Sequence, residues 1–239
     1  MAGALGSLAG RGRDDHGGIP DAMVTDSDHA DDARRAARRL SPAMAGACDD
    51  GHVRDDLTGL VLAGGASRRM GSDKALLDVD GLPLVHHVAQ RLATVCTTVL
   101  VAAGPRRLPD LPWKQVDDHA AGEGPLSAII GGLGAATTPL VAVVAVDMPH
   151  VEPAVLVSLA DAWDGRPAVV PVVAGRPQPL HAVYAVAGLA RLAAAFAAGE
   201  RSVSRVLPRV GALFVTVDDA GPWADDLDTP EDLGRFRRC

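Results

Sequence analysis

The sequence predicts an α/β protein made of one three-layer domain, with a mostly parallel sheet between helices and a disordered N-terminal tail. Three observations predict this class. From residue 57 onward, short β-rich runs alternate with helical stretches. Several of the helical stretches begin with proline, which suits the first position of a helix. Residues 1–56, in contrast, are rich in Gly, Ala, Asp and Arg and show no sustained apolar periodicity.

The β-rich runs and the helical stretches can be placed in order along the chain. The expected strands are Gly59–Leu62, Thr98–Ala102, Leu140–Ala145, Ala168–Val173, Ala182–Ala185 and Leu213–Val217. The expected helices are Leu84–Val95, Pro125–Ala136, Pro153–Trp163, Gly188–Ala198 and Pro230–Arg237. Ligands of such folds bind at the carboxyl ends of the strands, so we expect site residues in the loops that follow them.

The N-terminal tail, residues 1–56, contains one candidate element, a short helix around Asp31 to Leu40. The arginines of this stretch could form an interaction patch or simply the solvated face of a helix. Because the tail has too little apolar surface to join a core, we expect it to be disordered and dispensable for folding.

Composition and charge exclude several classes of protein. No run of about 18 apolar residues is present, so no helix is expected to span a membrane and no membrane partner is expected. The net charge of −7 argues against broad binding to nucleic acid, which requires a basic face. The N-terminus lacks the basic and apolar regions of a secretory signal. The three cysteines have neither disulfide nor zinc spacing, which favours a cytoplasmic, reducing location.

The most informative segment is a glycine-rich loop that follows the first predicted strand and runs from Leu62 to Lys74, LAGGASRRMGSDK. Glycines let the backbone present N–H groups to a phosphate chain, while Arg68, Arg69 and Lys74 add positive charge in an acidic chain. The loop matches neither the GxxxxGK[ST] nor the GxGxxG pattern. We expect a triphosphate to lie on it. A strand-to-helix turn with solvated arginines is the structural alternative.

This loop and four later motifs resemble the molybdenum cofactor guanylyltransferases, a family within the nucleotidyltransferases. The first motif is Leu62–Leu76, LAGGASRRMGSDKAL. The later motifs are Asp118 followed by Gly124-Pro125-Leu126, then Val146-Asp147-Met148-Pro149, then Gln178–Tyr184 (QPLHAVY) and finally Asp228–Asp232 (DTPED). The resemblance covers about Leu57 to Phe236. It implies that residues 57–239 form a single Rossmann-like nucleotidyltransferase domain.

The resemblance also implies a role for each matching position. The implied nucleotide-binding residues are Leu62, Ala63, Gly64, Gly65, Lys74, Asp118, Gly124, Pro125, Leu126 and Asp147, and the implied catalytic residues are Lys74, Asp147 and Arg69. The implied ligand of Mg²⁺ is Asp147, which ends an apolar run at the carboxyl end of a predicted strand. Asp228 is a second candidate ligand. As the structural alternative, Asp147 could cap the helix that begins near Pro153.

The activity that the resemblance implies is transfer of GMP from GTP to the phosphate of a molybdopterin-type cofactor. GTP and that cofactor would be the substrates, and molybdoenzymes or other cofactor-synthesis proteins would be further partners. Guanine is favoured because cytosine-using relatives tend to carry LAAG rather than LAGG. The alternatives are a cytidylyltransferase, a transferase acting on a sugar phosphate, and a catalytically silent nucleotide-binding regulator. Retention of both Lys74 and Asp147 argues against the regulator.

The chain departs from the family pattern because it contains no asparagine. The family usually carries NxNTPED where this chain has DLDTPED, from Asp226 to Asp232. Ala102 stands where the family has another asparagine. Thr229 to Asp232 could instead form the cap and first turn of the last helix. His119 and His181 lie in motifs near the predicted crevice and could simply fill space.

Overall fold

The computed structural model describes Arg38–Leu40, residues 53–64, 73–218, 221–224 and 227, and single positions at 232, 234 and 236. Three of the predicted site residues, Gly65, Arg69 and Asp228, lie outside the described residues. So does most of the N-terminal tail, and its disorder stays a prediction.

The described residues contain eleven strands and five α-helices with described bounds, and positions 232, 234 and 236 are also α-helical. The strands are β1 (Arg38–Leu40), β2 (Arg54–Leu62), β3 (Asp78–Val79), β4 (Leu82–Pro83), β5 (Cys96–Ala102), β6 (Lys114–Val116), β7 (Leu140–Ala145), β8 (Ala168–Val173), β9 (Arg176–Pro177), β10 (His181–Ala185) and β11 (Leu213–Val217). The α-helices are α1 (Leu84–Ala93), α2 (Pro125–Ala135), α3 (Pro153–Asp161), α4 (Leu189–Ala197) and α5 (Val203–Val210), and 3₁₀ helices cover Lys74–Leu76, Val186–Gly188 and Pro222–Ala224. None of the helices in this part of the chain is long and apolar enough to cross a bilayer.

The main sheet is mostly parallel, which confirms the predicted fold class. Its strand order is β1-β11-β8-β10-β7-β2-β5-β6, with β9 paired to β8. The antiparallel members among the described strands are β10, between β7 and β8, and the short β9. The central strand β7 is buried at every position, as expected for a strand with helices on both faces.

Helices cover both faces of the sheet and complete the three layers. Successive side chains of a strand point to opposite faces, so Leu60 and Val61 belong to two different core clusters. On one face the sheet packs against α1 and α3, and on the other it packs against α2, α4 and α5. The carboxyl ends of β2, β5 and β7 therefore lie at one edge, between the two helical layers.

Part of the N-terminal segment belongs to the sheet. The predicted helix around Asp31 to Leu40 is wrong for its last residues, because Arg38–Leu40 pairs in parallel with β11. The predicted boundary at residue 56 also falls inside a strand, since β2 begins at Arg54. Arg54 hydrogen-bonds Asp56 and Asp161 there. Arg38, Arg39, Arg54 and Asp56 lie at an edge of the sheet or at the end of a strand and are polar. A hydrophobic pattern therefore cannot predict that they belong to strands.

Candidate active site

A cleft of about 560 Å³ opens where β2, β5 and β7 end. These strands are parallel neighbours, so the loops that follow them meet at one edge of the sheet. The predicted nucleotide-binding residues that line the cleft are Leu62, Ala63, Gly64, Lys74, Asp118, Gly124, Pro125 and Asp147. Leu126 is fully buried in the core behind the cleft. The topology thus brings together residues that lie as much as 85 positions apart in the chain, from Leu62 to Asp147.

Lys74 and Asp147 form an ion pair in the cleft. The Nζ atom of Lys74 lies 3.6 Å from Oδ2 of Asp147, and the two side chains are 16% and 32% exposed. Lys74 begins a 3₁₀ helix whose N-cap is Asp73, the carboxylate of which accepts a hydrogen bond from the Ala75 amide. A cation and a carboxylate side by side at the mouth of a cleft can bind a phosphate chain and a metal ion, respectively.

The backbone of the segment around Asp147 is fixed from two sides. The amide of Val146 donates to the carbonyl of Leu62, and the amide of Leu227 donates to the carbonyl of Asp147 at 2.7 Å. The N-cap of α3 is Glu152. The alternative in which Asp147 caps that helix is therefore wrong, and its carboxylate faces the cleft instead.

Asp118 follows β6 and lines the cleft. The backbone amides of Gly104 and Gly122 favour its ionised form, and its Oδ1 is buried without a hydrogen-bond partner in the described part of the chain. Burial raises the pKa of Asp118, although the two amides oppose that shift. A carboxylate in the wall of a cleft is suited to accept N–H groups from a ligand.

The first turn of α2 supports the loop that carries Asp118. The Oγ of Ser127 accepts from the amide of Ala120 at 2.6 Å and donates to its carbonyl at 2.8 Å. Gly124 precedes the helix with φ +89°, a conformation that favours glycine, and Pro125 occupies the start of the helix. Because Gly124 and Pro125 line the cleft, the positive end of the helix dipole lies beside it.

Arg106 is a cleft residue that sequence reasoning did not single out. It follows β5, and its Nη2 donates to the carbonyl of Ala63 at 2.6 Å and to Oδ1 of Asp73 at 2.7 Å. Its Nε is buried and unpartnered among the described residues. The sequence did contain one indication of its role, because Arg106 lies four residues after the predicted strand Thr98–Ala102, where site residues are expected.

The two histidines of the motifs near the crevice each contact an aromatic ring. His181 is fully buried and packs against Trp223, with ring centroids 4.7 Å apart. Both of its ring nitrogens lack a partner in the residues that the structure describes, and burial lowers its pKa to about 3, so the ring is neutral. His119 contacts the ring of Phe196 at 5.4 Å. Neither histidine lines the cleft.

The carboxylates of the site fit a magnesium ion shared with substrate. The described residues hold no group of three or more His, Cys, Asp or Glu that could bind a metal unaided. Magnesium in proteins commonly uses one or two carboxylates together with substrate phosphates and water. Asp147 provides one such carboxylate in the cleft. Leu227, which bonds the Asp147 carbonyl, directly precedes the second candidate, Asp228.

A cleft at the ends of parallel strands, with a lysine, a carboxylate and a helix N-terminus around it, defines a nucleotide-binding α/β protein. The model of one family, described as the MobA-like NTP transferase domain, matches residues 59–213. A probable molybdenum cofactor guanylyltransferase of Chloroflexus aggregans is 36% identical over 190 residues, which are 74% of this chain and 91% of that protein. The chain belongs to the MobA-like NTP transferase family and is a nucleotidyltransferase.

Another relative supports membership of this family, and solved structures share the fold. A probable molybdenum cofactor guanylyltransferase of Mycobacterium tuberculosis is 39% identical over 173 residues, covering 70% of this chain and 86% of that protein. Molybdopterin-guanine dinucleotide biosynthesis protein A from Archaeoglobus fulgidus superposes with a TM-score of 0.65 at 25% identity, covering 76% and 97% of the two chains. A cytidylyltransferase for 2-C-methyl-D-erythritol 4-phosphate from Thermus thermophilus shares the fold, with a TM-score of 0.58 at 20% identity and coverage of 75% and 96%.

Proposed function

We propose that this chain transfers GMP from GTP to the phosphate of a molybdopterin-type cofactor, forming the guanine dinucleotide cofactor and pyrophosphate. The observation that carries the proposal is the Lys74–Asp147 pair at 3.6 Å in a cleft that also contains the start of the glycine-rich loop. The names of the relatives, molybdenum cofactor guanylyltransferases at 36% and 39% identity, support the choice of substrates.

In the proposed reaction, a terminal phosphate oxygen of the acceptor attacks the α-phosphorus of GTP in line. A new P–O bond forms, the bond to the β-phosphate oxygen breaks, and pyrophosphate leaves. The acceptor phosphate is already ionised at neutral pH, so no strong general base is needed. Catalysis then depends on positioning and on neutralising negative charge.

Lys74 and the start of α2 provide positive charge for the triphosphate. A preorganised electrostatic contact of this kind is typically worth about 3 to 4 kcal/mol in the transition state. Asp147, with Asp228 as a second ligand, would hold Mg²⁺, and the bound ion would neutralise charge on the phosphates. Gly65 and Arg69 remain part of the proposed phosphate-binding loop, and Leu126 and Pro125 remain part of the proposed nucleoside-binding turn.

Asp118 supports guanine as the base. One edge of guanine presents two adjacent donors, the N1–H and the exocyclic amino group, whereas cytosine presents a single amino group beside an acceptor nitrogen. A carboxylate has two acceptor oxygens and no donor, so it suits guanine better. Asp118 lines the cleft, so we expect its carboxylate to accept these donors.

Two further parts of the proposal concern the cell. We place the reaction in the cytoplasm, which the spacing of the three cysteines favours, and expect the product to pass to molybdoenzymes or other cofactor-synthesis proteins. The competing functions are a cytidylyltransferase, another nucleotidyltransferase acting on a related cofactor or a sugar phosphate, and a catalytically silent regulator.

A pyrophosphate-release assay separates these functions. Purified protein is supplied with Mg²⁺, a molybdopterin-type acceptor and each nucleoside triphosphate in turn. We expect release with GTP, and only when the acceptor is present. Fastest release with CTP would favour the cytidylyltransferase, and nucleotide binding without release from any triphosphate would favour the regulator.

A further inference from the structure

The loop that carries Asp118 lies directly on the backbone of α2. The amide of His119 donates to the carbonyl of Ser127 at 3.0 Å. The amide of Ala120 donates to the Oγ of the same serine at 2.6 Å, and that hydroxyl donates back to the carbonyl of Ala120. Three hydrogen bonds within two residues of Asp118 thus join the loop to one turn of the helix.

Gly131 is the position of α2 that leaves space for this loop. It lies four residues after Ser127, so the two residues share one face of the helix. A Cβ atom added at Gly131 would lie only 2.2 Å from the carbonyl oxygen of Asp117. It would also lie 3.1 Å from Cα of Asp118 and from the amide nitrogen of His119. Because these are backbone atoms, a side chain at Gly131 would require the loop to move away from the helix.

A shift of this loop would move Asp118 relative to the cleft. Asp118 lines the cleft together with Gly122 and Gly124 of the same loop. Lys74 and Asp147 lie instead in the segments that follow β2 and β7. The shift should therefore change recognition of the base more than the chemistry at the phosphates.

We propose that Ser127 and Gly131 are positioning residues, and that their shared face of α2 places Asp118 so that the cleft prefers guanine to cytosine. Ser127 fixes the loop by hydrogen bonds, and Gly131 lets the loop backbone approach the helix. The effect on base preference rests on the function proposed above, whereas the placement of the loop does not.

Two other glycines of α2 provide matched controls. Gly134 is exposed, and a Cβ atom added there would meet no atom of the described residues within 4 Å. Gly134→Ala thus adds the same methyl group to the same helix without displacing the loop. Gly132 faces the core, where an added Cβ atom would lie 2.2 Å from Cδ2 of Leu60. Gly132→Ala should therefore destabilise the whole fold and accelerate hydrogen exchange in β2.

Hydrogen exchange tests the placement of the loop without any nucleotide, and NMR follows single amides. We expect Gly131→Ala to accelerate exchange of the His119 and Ala120 amides about tenfold, because the displaced loop loses the hydrogen bonds that protect them. Ser127→Ala removes the acceptor of the Ala120 amide and should accelerate its exchange by a similar factor. Gly134→Ala should leave both amides as in the wild type.

Isothermal titration with GTP and with CTP, each with Mg²⁺, tests the effect on base preference. We expect Gly131→Ala to weaken GTP binding about tenfold and CTP binding less, because a small misplacement of Asp118 removes its fit to the guanine donors. In steady-state kinetics the loss should appear in KM for GTP, with kcat nearly unchanged. In a protein that already carries Asp118→Asn, Gly131→Ala should change the ratio of the two affinities little, because residues that act through one contact are not additive.

The outcomes are distinct. Unchanged exchange of the His119 and Ala120 amides in Gly131→Ala would overturn the proposal, and so would accelerated exchange with an unchanged ratio of GTP to CTP affinity. Failure of the wild type to bind GTP, with accelerated exchange in the variants, would overturn the proposed function and support the placement of the loop. Circular dichroism checks the fold of each variant. If Gly131→Ala does not fold, Ser127→Ala provides both tests, because it adds no volume to the contact.

Discussion

At the scale of single residues, Lys74 is the side chain whose loss should affect chemistry most relative to structural damage. Its ammonium lies beside Asp147 and its side chain is 16% exposed, so some packing is lost on truncation. We expect Lys74→Ala to lower the free energy of unfolding by about 1 kcal/mol. Turnover should fall about a hundredfold or more, as for removal of one electrostatic contact to a transition state. Chemical denaturation and pyrophosphate release measure the two effects.

The control for this change is the other lysine of the chain. Lys114 is exposed in β6, and Lys114→Ala should leave turnover unchanged. Lys74→Arg should rescue turnover only partly, because a planar guanidinium replaces a compact ammonium. Wild-type kinetics in both Lys74→Ala and Lys74→Arg would contradict the phosphate-binding role.

The carboxylate of Asp147 should control the magnesium dependence. Asp147→Asn keeps the backbone bond from Leu227 and the size of the side chain, so the fold should persist. An amide is a weaker, uncharged ligand, and turnover should fall about a hundredfold with a higher magnesium concentration needed for half-maximal rate. A magnesium titration of both proteins measures this. Near-normal turnover of Asp147→Asn at the magnesium concentration that saturates the wild type would show that another residue binds the metal. Asp228 is the first residue to examine.

Asp118 should make GTP binding depend on pH. Burial raises the pKa of this carboxyl, so it gains a proton at higher pH than an ordinary aspartate. The protonated form loses acceptor capacity for guanine, and GTP affinity should therefore weaken as the pH falls through the raised pKa. Isothermal titration at a series of pH values from neutral downward measures the trend. Asp118→Asn should bind GTP more weakly throughout and lose that pH dependence; an unchanged profile would show that another group titrates.

Sequence reasoning found the residues of the site that sit in contiguous motifs and missed one that acts across the fold. Lys74 and Asp147 each stand in a recognisable motif after a predicted strand, and they do meet in the cleft. Arg106 contacts Asp73, which lies 33 residues away in the sequence, and no local sequence pattern predicts such a contact. The unsatisfied oxygen of Asp118 likewise depends on how Gly104 and Gly122 approach it in three dimensions.

At the scale of elements, runs of mostly apolar residues decided which strands could be predicted. The predicted bounds of Leu140–Ala145, Ala168–Val173 and Leu213–Val217 are confirmed, because such runs between turns mark them clearly. The edge strand β6 is short and partly polar, and α5 contains Pro208, so neither gave a signal. Edge elements are specified by their pairing partners more than by their own residues.

Truncation tests the contribution of the N-terminal edge strand β1. Deleting residues 1–37 removes no residue that the structure describes, whereas deleting residues 1–52 also removes β1 from its pairing with β11. We expect the shorter deletion to leave thermal stability unchanged. The longer deletion should cost about 1 to 2 kcal/mol, the contribution of a few edge hydrogen bonds, and should increase aggregation through the bare edge of β11. Equal melting of the two truncated proteins would show that β1 adds nothing.

At the scale of the whole molecule, the cleft brings together loops from several strands and the start of one helix. Residues after β2, β5, β6 and β7 and the start of α2 all line it. A ligand held there therefore contacts several parts of one cooperative fold, and should stabilise all of them together. The chain carries a net charge of −7, so an anionic nucleotide depends on the local cations and the helix terminus rather than on long-range attraction.

Thermal unfolding with nucleotide tests this coupling. At GTP concentrations about a hundredfold above its Kd, binding should add about 2.7 kcal/mol to the free energy of unfolding. For a folded unit of this size, that corresponds to a rise in Tm of roughly 5 to 10 °C.

CTP at the same concentration should produce a smaller rise, because Asp118 prefers guanine, and Asp118→Asn should reduce the difference between the two nucleotides. Lys74→Ala should diminish both rises, while Lys114→Ala should not. If millimolar GTP with magnesium leaves the Tm of the wild type unchanged, the cleft is not a GTP site, since a ligand that binds only the folded state must raise Tm once it exceeds its Kd.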